Sequence, residues 1–262
     1  MKIAALQMDI AWHDRDENFR KVREYALRAR DQQAGLLVLP EMFATGFSMD
    51  TNVTAEKIDG RTPAFLRSLA SETDMALVGG FVLESGEAAG PRNVSLAVDG
   101  KGRDLALYSK IHQIGLLEED IHYAPGTDPV TFGIEGIGTA CFICYDLRFP
   151  ELFRAVVDDC ELIMVIASWP ALRQSHWDIL LRARAVESQC YMVGVNRIGE
   201  GGGSQFRGGS AIIDPLGELL AFGGDEEGLL IAGIEKNRVE DIRASMPFLK
   251  DRRPGLLSLP QR

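Results

Sequence analysis

Short apolar runs alternate along this chain with segments of helical periodicity. Residues 3–8 read as a strand. Over residues 16–33, Phe19, Val22, Tyr25, Ala26 and Ala29 recur at the spacing that lines one face of a helix. Residues 36–39 form a continuous apolar strand closed by Pro40. Residues 63–72 predict a helix with proline in its first turn. Strands follow at 75–83, 93–98 and 104–108, parted by turn signals such as Asp99-Gly100.

The second half repeats the alternation. Residues 130–134 and 137–144 predict a strand pair, and 149–157 a short helix. Residues 162–167 are wholly apolar, as a strand buried on both faces requires. A helix is expected over 175–190 with Ser175 as its N-cap, then a strand over 191–195. A loop over 199–209 holds six glycines. Strands at 210–213 and 229–234 and a helix at 237–244 precede a proline-containing tail. Hairpins outnumber crossovers in the middle third, so a clean βαβ series is excluded. An α/β four-layer α-β-β-α sandwich fits the count, each stacked sheet carrying helices on its outer face. Those outer helices would be free to pair with a second copy. No internal repeat or linker interrupts the pattern, so a single domain is expected over 1–262, with a C-terminal tail from 247 to 262.

Composition narrows the function classes. Of 262 residues, 46% are apolar, enough for a sizeable core, and the net charge is −10. That balance disfavours nucleic-acid or anionic-membrane partners, which need Lys and Arg clusters. Gln7 and Asp9 interrupt any signal-peptide core, and no apolar run reaches spanning length. The four cysteines do not suggest a disulfide framework. A cytoplasmic, reduced protein is expected.

Three strand ends carry candidate chemistry: Glu41 after 36–39, Lys110 after 104–108 and Cys144 after 137–143. A thiolate can attack an acyl carbon and split hydrolysis into two easier steps. A free thiol, with a pKa of about 8.5, needs a neighbouring base. A glutamate serves if burial raises its pKa toward neutrality. An ammonium, together with the backbone N–H of Tyr145, could then hold the oxyanion. Taken singly, each residue reads as well as a surface charge or an inert core thiol, and periodicity does not select among them. Cys141 and Cys144 also form a C-x-x-C, readable as a redox pair or half a metal site. No second such motif completes a zinc site. Strand positions three apart face opposite ways, which places Cys141 in the core and Cys144 at the open end. Cys160 and Cys190 read as small buried hydrophobes. A Cys-His dyad would draw its base from His112, His122 or His176.

Leu39-Pro40-Glu41-Met42-Phe43, Tyr108-Ser109-Lys110-Ile111-His112 and the run Cys144-Tyr145-Asp146-Leu147-Arg148-Phe149-Pro150-Glu151 resemble the three signature segments of the nitrilase superfamily of carbon–nitrogen hydrolases. Asn93-Val94-Ser95 is similar to the family's strand ahead of the lysine loop, and residues 183–187 to its long helix. The resemblance implies the α-β-β-α sandwich, a Glu41-Lys110-Cys144 triad and a homodimer or larger even-numbered oligomer. It implies no metal and no organic cofactor. It also points to Glu119, ahead of Pro125-Gly126, as the glutamate that orients substrate and lysine, and to His112 as a packing residue.

Residues 39–49 and Ala167-Ser168-Trp169-Pro170-Ala171, followed by His176-Trp177, most resemble the omega-amidase branch. That branch implies a small-molecule substrate, a short dicarboxylate monoamide such as 2-oxoglutaramate or 2-oxosuccinamate. Its remote carboxylate needs a cation, and Arg148 is the candidate, because a guanidinium forks onto a carboxylate. An ion pair of Arg148 with Glu151 or Asp146 is the structural alternative; Arg173 is a weaker candidate. Phe43 and Trp169 are expected to wall the pocket. Ser168 stands where many relatives carry Asn. Other amidases of the family, acting on N-carbamoyl amines or deaminated glutathione, and a non-catalytic scaffold remain as alternatives.

Overall fold

A computed structural model describes residues 1–86 and 90–253. The first sheet holds β1 (Lys2–Gln7), β2 (Leu36–Val38), β3 (Ala55–Glu56), β4 (Ala76–Leu83), β5 (Arg92–Val98) and β6 (Asp104–Ser109). The second holds β7 (Thr131–Ile134), β8 (Ile137–Ile143), β9 (Leu162–Ala167) and β10 (Tyr191–Asn196). A separate hairpin, β11 (Ile198–Gly201) with β12 (Ser204–Arg207), leads to β13 (Ala211–Ile213) and β14 (Leu219–Phe222) of the second sheet. β15 (Gly228–Gly233) returns to the first sheet. The orders are β15-β1-β2-β4-β5-β6, with β3 beside β4, and β14-β13-β10-β9-β8-β7. Each sheet has three parallel central strands, β1-β2-β4 and β8-β9-β10, flanked by antiparallel ones.

The period of two decides which layer each residue joins. On β1 and β2, Ile3, Ala5, Leu36 and Val38 share a core with the second sheet. Their neighbours Ala4, Leu6 and Leu37 pack instead with Val22, Ala26, Leu66 and Leu69. Those come from α1 (Arg15–Asp31) and α3 (Arg61–Thr73). On the far side, α5 (Pro150–Val156) and α6 (Gln174–Ser188) set Phe153, Trp177, Leu181 and Ala185 against the second sheet. The result is the expected four-layer α-β-β-α sandwich. Three further α-helices complete the set among the described residues: α2 (Thr51–Thr54), α4 (Glu119–His122) and α7 (Lys236–Ser245).

Three local expectations are corrected. The N-cap of α6 is Arg173, with no side-chain cap, and Ser175 lies inside the helix. A 3-10 turn at Ala171–Arg173 runs straight into α6, so its first turn is already formed. The glycine-rich stretch is a hairpin rather than a loop; its strand signal is masked because glycine has no side chain to alternate. β14 was not foreseen: Leu219, Leu220 and Phe222 all stand largely exposed, so no in-out alternation marks them. Of the tail, Phe248–Asp251 makes a 3-10 turn, and residues 254–262 lie outside the described residues. Among the described residues no helix is long and apolar enough to cross a membrane.

Candidate active site

The chemistry gathers at the carboxyl ends of β2, β6, β8 and β9, where open α/β sheets place ligands. Leu39 and Pro40 carry the chain out of β2 into a tight turn, with Met42 in the left-handed region at φ 45°. The turn lies directly on β4. A Cβ at Gly80 would come within 2.8 Å of the Met42 nitrogen and 2.9 Å of the Glu41 Cα, and one at Gly79 within 2.9 Å of the Phe43 ring. Only glycines let the two backbones meet so closely.

Glu41, Lys110 and Glu119 are each fully buried and ligate one another. Lys110 Nζ donates to both Glu119 oxygens at 2.8 Å and to Glu41 Oε1 at 3.1 Å. Asn93, on β5, donates from Nδ2 to Glu41 Oε1 at 2.7 Å and to Glu119 Oε1 at 3.1 Å. The Ile114 N–H closes on Glu119 Oε2 at 2.8 Å, and the Ser168 N–H on Glu41 Oε2 at 2.8 Å. Two carboxylates thus face one ammonium in a site without water-exposed walls. Burial pushes the Glu41 carboxyl above its usual range, and the charge of Glu119 adds to this. The Lys110 charge and the Asn93 and Ser168 donors oppose the rise without cancelling it. For Lys110, burial favours the neutral amine, but Glu119 and Glu41 outweigh it and keep the ammonium charged.

Cys144 opens a 3-10 turn, Cys144–Arg148, directly after β8, with its backbone strained into the left-handed region at φ 48°. Its sulfur lies close enough to Glu41, Lys110 and Glu119 to feel all three charges. Burial first, and the Glu41 charge second, hold the thiol far above its ordinary value, so it rests protonated and needs a base. The N–H of Tyr145, in the first turn of this helix, has no intrahelical acceptor. The turn is fixed by the buried Asp146. Its Oδ2 accepts from the Ile143 N–H at 3.1 Å and the Tyr108 hydroxyl at 2.7 Å; its Oδ1 accepts from the His112 N–H at 3.0 Å and lies 3.0 Å from His112 Nδ1. One carboxylate therefore ties the lysine loop to the cysteine turn.

A pocket with about 290 Å³ of space, counting its open mouth, lies over the thiol, lined by Phe47, Ile114, Leu117, Cys144, Tyr145, Arg148, Ser168, Trp169, Pro170 and Arg173. The Arg148 guanidinium stacks 4.8 Å over Trp169 and approaches His176 Nδ1 at 3.2 Å. Neither Glu151 nor Asp146 pairs with it. Among the described residues, Arg148 and Arg173 form no ion pair with any carboxylate. Trp169 lines the pocket as expected, but Phe43 does not. Phe43 is fully buried beside Phe19 and Phe65, because the turn after Glu41 swings it onto the helix layer. Phe47 takes the pocket wall and lies 5.3 Å from Lys110 Nζ.

Several groups escaped the sequence reading as site residues. Asn93 carries a signal, a polar residue opening an apolar strand; the Ser168 backbone N–H carries none. No histidine lines the pocket, and His112 is engaged with Asp146 and stacked 3.6 Å from Phe149, so a Cys-His dyad finds no support. Cys141 is buried in the core, where burial pushes its thiol up to about 12. All four cysteines are free thiols, Cys160 and Cys190 fully buried. Among the described residues no group of three or more His, Cys, Asp or Glu is arranged to hold a metal ion.

Comparison with known proteins agrees with this geometry. The family model described as carbon-nitrogen hydrolase matches residues 2–244. The chain is 33% identical over 256 residues to the 2-oxoglutaramate amidase of Bacillus subtilis (strain 168), covering 97% of this chain and 98% of that one. It is 34% identical over 224 residues to omega-amidase YafV of Escherichia coli (strain K12), covering 84% of each. Among solved structures, it superposes with a TM-score of 0.87 and 31% identity on a mutant amidase from Nesterenkonia sp. AN1, covering 98% of this chain and 95% of that one. That amidase carries the acetamide moiety of fluoroacetamide added covalently at its active site cysteine.

Proposed function

This chain belongs to the carbon–nitrogen hydrolase family, and from that premise we propose that it is an omega-amidase-type enzyme releasing ammonia from short dicarboxylate monoamides such as 2-oxoglutaramate and 2-oxosuccinamate. One observation carries the reading. A thiol shares its pocket with two arginines that have no carboxylate partner among the described residues, directly above a buried Glu-Lys-Glu cluster.

Glu41 takes the Cys144 proton as Sγ attacks the amide carbon. The developing oxyanion is held by Lys110 and the Tyr145 N–H, each such donor worth roughly 3–4 kcal/mol to the transition state. Glu41 returns its proton to the nitrogen, the carbon–nitrogen bond breaks and ammonia leaves a thioester on Cys144. Glu41 next draws a proton from water as that water attacks, and the acid leaves with the thiol restored. Glu119 neither gives nor takes a proton; it holds Lys110 in place. Arg148, helped by Arg173, grips the remote carboxylate, while Trp169 and Phe47 wall the acyl chain.

Residues 1–262 are read as one domain, in keeping with the family match over 2–244. An even-numbered homo-oligomer is also proposed, supported by a stripe at spacing of seven, Leu172, Ile179 and Val186, exposed by 90%, 66% and 50% along and just before α6. Four free thiols support a reducing, cytoplasmic setting.

Ammonia release tests the assignment. The kcat/KM for 2-oxoglutaramate should exceed that for an uncharged amide of equal length by roughly a hundredfold, the ratio that a charge-assisted contact of about 3 kcal/mol supplies. Cys144→Ala should release none. Equal turnover of both amides, or faster release from N-carbamoyl amines, overturns the substrate assignment; activity in Cys144→Ala overturns the nucleophile.

A further inference from the structure

Beside the thiol pocket lies a second and larger chamber, with about 560 Å³ of space counting its open mouth, whose function the ammonia-releasing reaction does not account for. Phe47, Leu117, Ser168 and Pro170 line both spaces, so the two adjoin across these residues. The arginines line only the thiol side. The far wall is Trp12, the hairpin residues Gly201, Gly202 and Ser204, and Phe206. Among the described residues, none that lines this chamber is charged.

The wall is preformed despite its glycines. Trp12 packs tightly against them: a Cβ at Gly201 or Gly202 would come within 2.8 or 2.7 Å of its ring. The buried Arg197 pins the hairpin to the segment before α1. It donates from Nη2 to the carbonyls of Ile10 at 3.1 Å and Glu200 at 2.9 Å, and its guanidinium sits 4.5 Å over the Phe206 ring. Bridges pair Asp9 with Ile198 and Pro170 with Phe206, fastening both strands of the hairpin at its base. A concave, uncharged space with packed walls, beside the pocket of a reactive thiol, has the character of a ligand subsite.

Its occupant follows from charge. A carboxylate-bearing acyl chain belongs with Arg148 and Arg173, and burying that carboxylate among uncharged walls would be costly. What remains is the group on the other side of the scissile bond. A primary amide places only hydrogens there. We propose that this chamber is a subsite for an uncharged alkyl or aryl substituent on the leaving nitrogen, so that the enzyme also hydrolyses N-substituted dicarboxylate monoamides. This rests on the roles given above to Cys144 and Arg148. The bond changes are the same: the thioester forms, the carbon–nitrogen bond breaks, and the amine leaves with the proton from Glu41.

Succinamate and N-benzylsuccinamate form the test pair. In the wild type, kcat/KM for the N-benzyl amide should lie within about tenfold of that for succinamate. Ser204→Trp, which fills the chamber from the hairpin side, should lower the N-benzyl to primary ratio by at least about tenfold, and Trp12→Ala should lower it in the same direction. In Cys144→Ala, N-benzylsuccinamate but not succinamate should change the emission of Trp12, a change lost in the Trp12→Phe double variant. Wild-type turnover of succinamate with none of the N-benzyl amide overturns the proposal, as does an unchanged ratio in both wall variants. Failure on both substrates instead overturns the amidase assignment itself.

Discussion

Asp146→Asn offers a sharp test of how the site is held. The fully buried carboxylate of Asp146 faces four donor groups, two on each oxygen. Burial and the neighbouring charge hold the Tyr108 hydroxyl far above its usual pKa, so it donates to Asp146. An asparagine amide replaces one oxygen with an NH₂ group. If that group faces Tyr108 and Ile143, the hydroxyl can turn and accept, but the Ile143 N–H loses its acceptor. If it faces His112, the ring can shift its proton, but the His112 N–H is orphaned. Either way one buried backbone donor goes unsatisfied, at about 1–3 kcal/mol. The surviving bonds lose their charge assistance, roughly 1 kcal/mol each, while the relief of not burying a charge offsets part of this. The net expectation is about 3 kcal/mol of lost stability, which a protein with a typical margin of about 5–15 kcal/mol survives. Urea denaturation should show an earlier midpoint with an unchanged slope. Because Ile143 precedes the nucleophile and His112 follows Lys110 by two, kcat should fall by tenfold or more, the scale of small misplacements. A stability loss below about 1 kcal/mol with kcat intact would refute the view that one carboxylate locks the two loops together.

Three further outcomes are expected. Glu41 is the base only when deprotonated, and burial raises its pKa, so kcat/KM should climb with pH along a limb above the ordinary glutamate value of about 4.3. Glu119→Gln removes a like charge and should move that limb toward lower pH; a limb at or below the ordinary value, or a shift upward, counts against Glu41. Arg148→Lys keeps the charge but loses the planar fork, so KM should rise more for 2-oxoglutaramate than for a neutral amide, and equal changes would demote Arg148 to a structural role. Phe43→Ala should cost about 3–5 kcal/mol of stability without altering KM, whereas Phe47→Ala should raise KM; the opposite pattern in the two variants would reverse their assignment.

The alternation of apolar strands and amphipathic helices was legible because both faces of most strands are buried, which leaves long uninterrupted runs such as residues 162–167. The three signature segments were legible as motifs, and each sits where a strand ends. What was hidden is where side chains point once the chain leaves a strand. Phe43 and Phe47 are equivalent as letters, yet the left-handed turn at Met42 sends the first into the core and leaves the second over the lysine. Asp146 reads as an unremarkable acid in a polar turn; apart from the Ile143 N–H, its partners are groups of Tyr108 and His112, more than thirty residues away in sequence. The Ser168 contribution is a backbone N–H, which no side-chain pattern encodes.

The bare pair at Gly79 and Gly80 sets a boundary for laboratory evolution. The base rides on a strand that has no atoms to trim and no room to add any, so its reach toward the sulfur cannot be retuned from below. Libraries that randomise the loop after β2 will mostly sample failures of assembly. Broader substrate scope is more accessible from the hairpin rim, where side chains face open space and the proton-transfer geometry stays untouched.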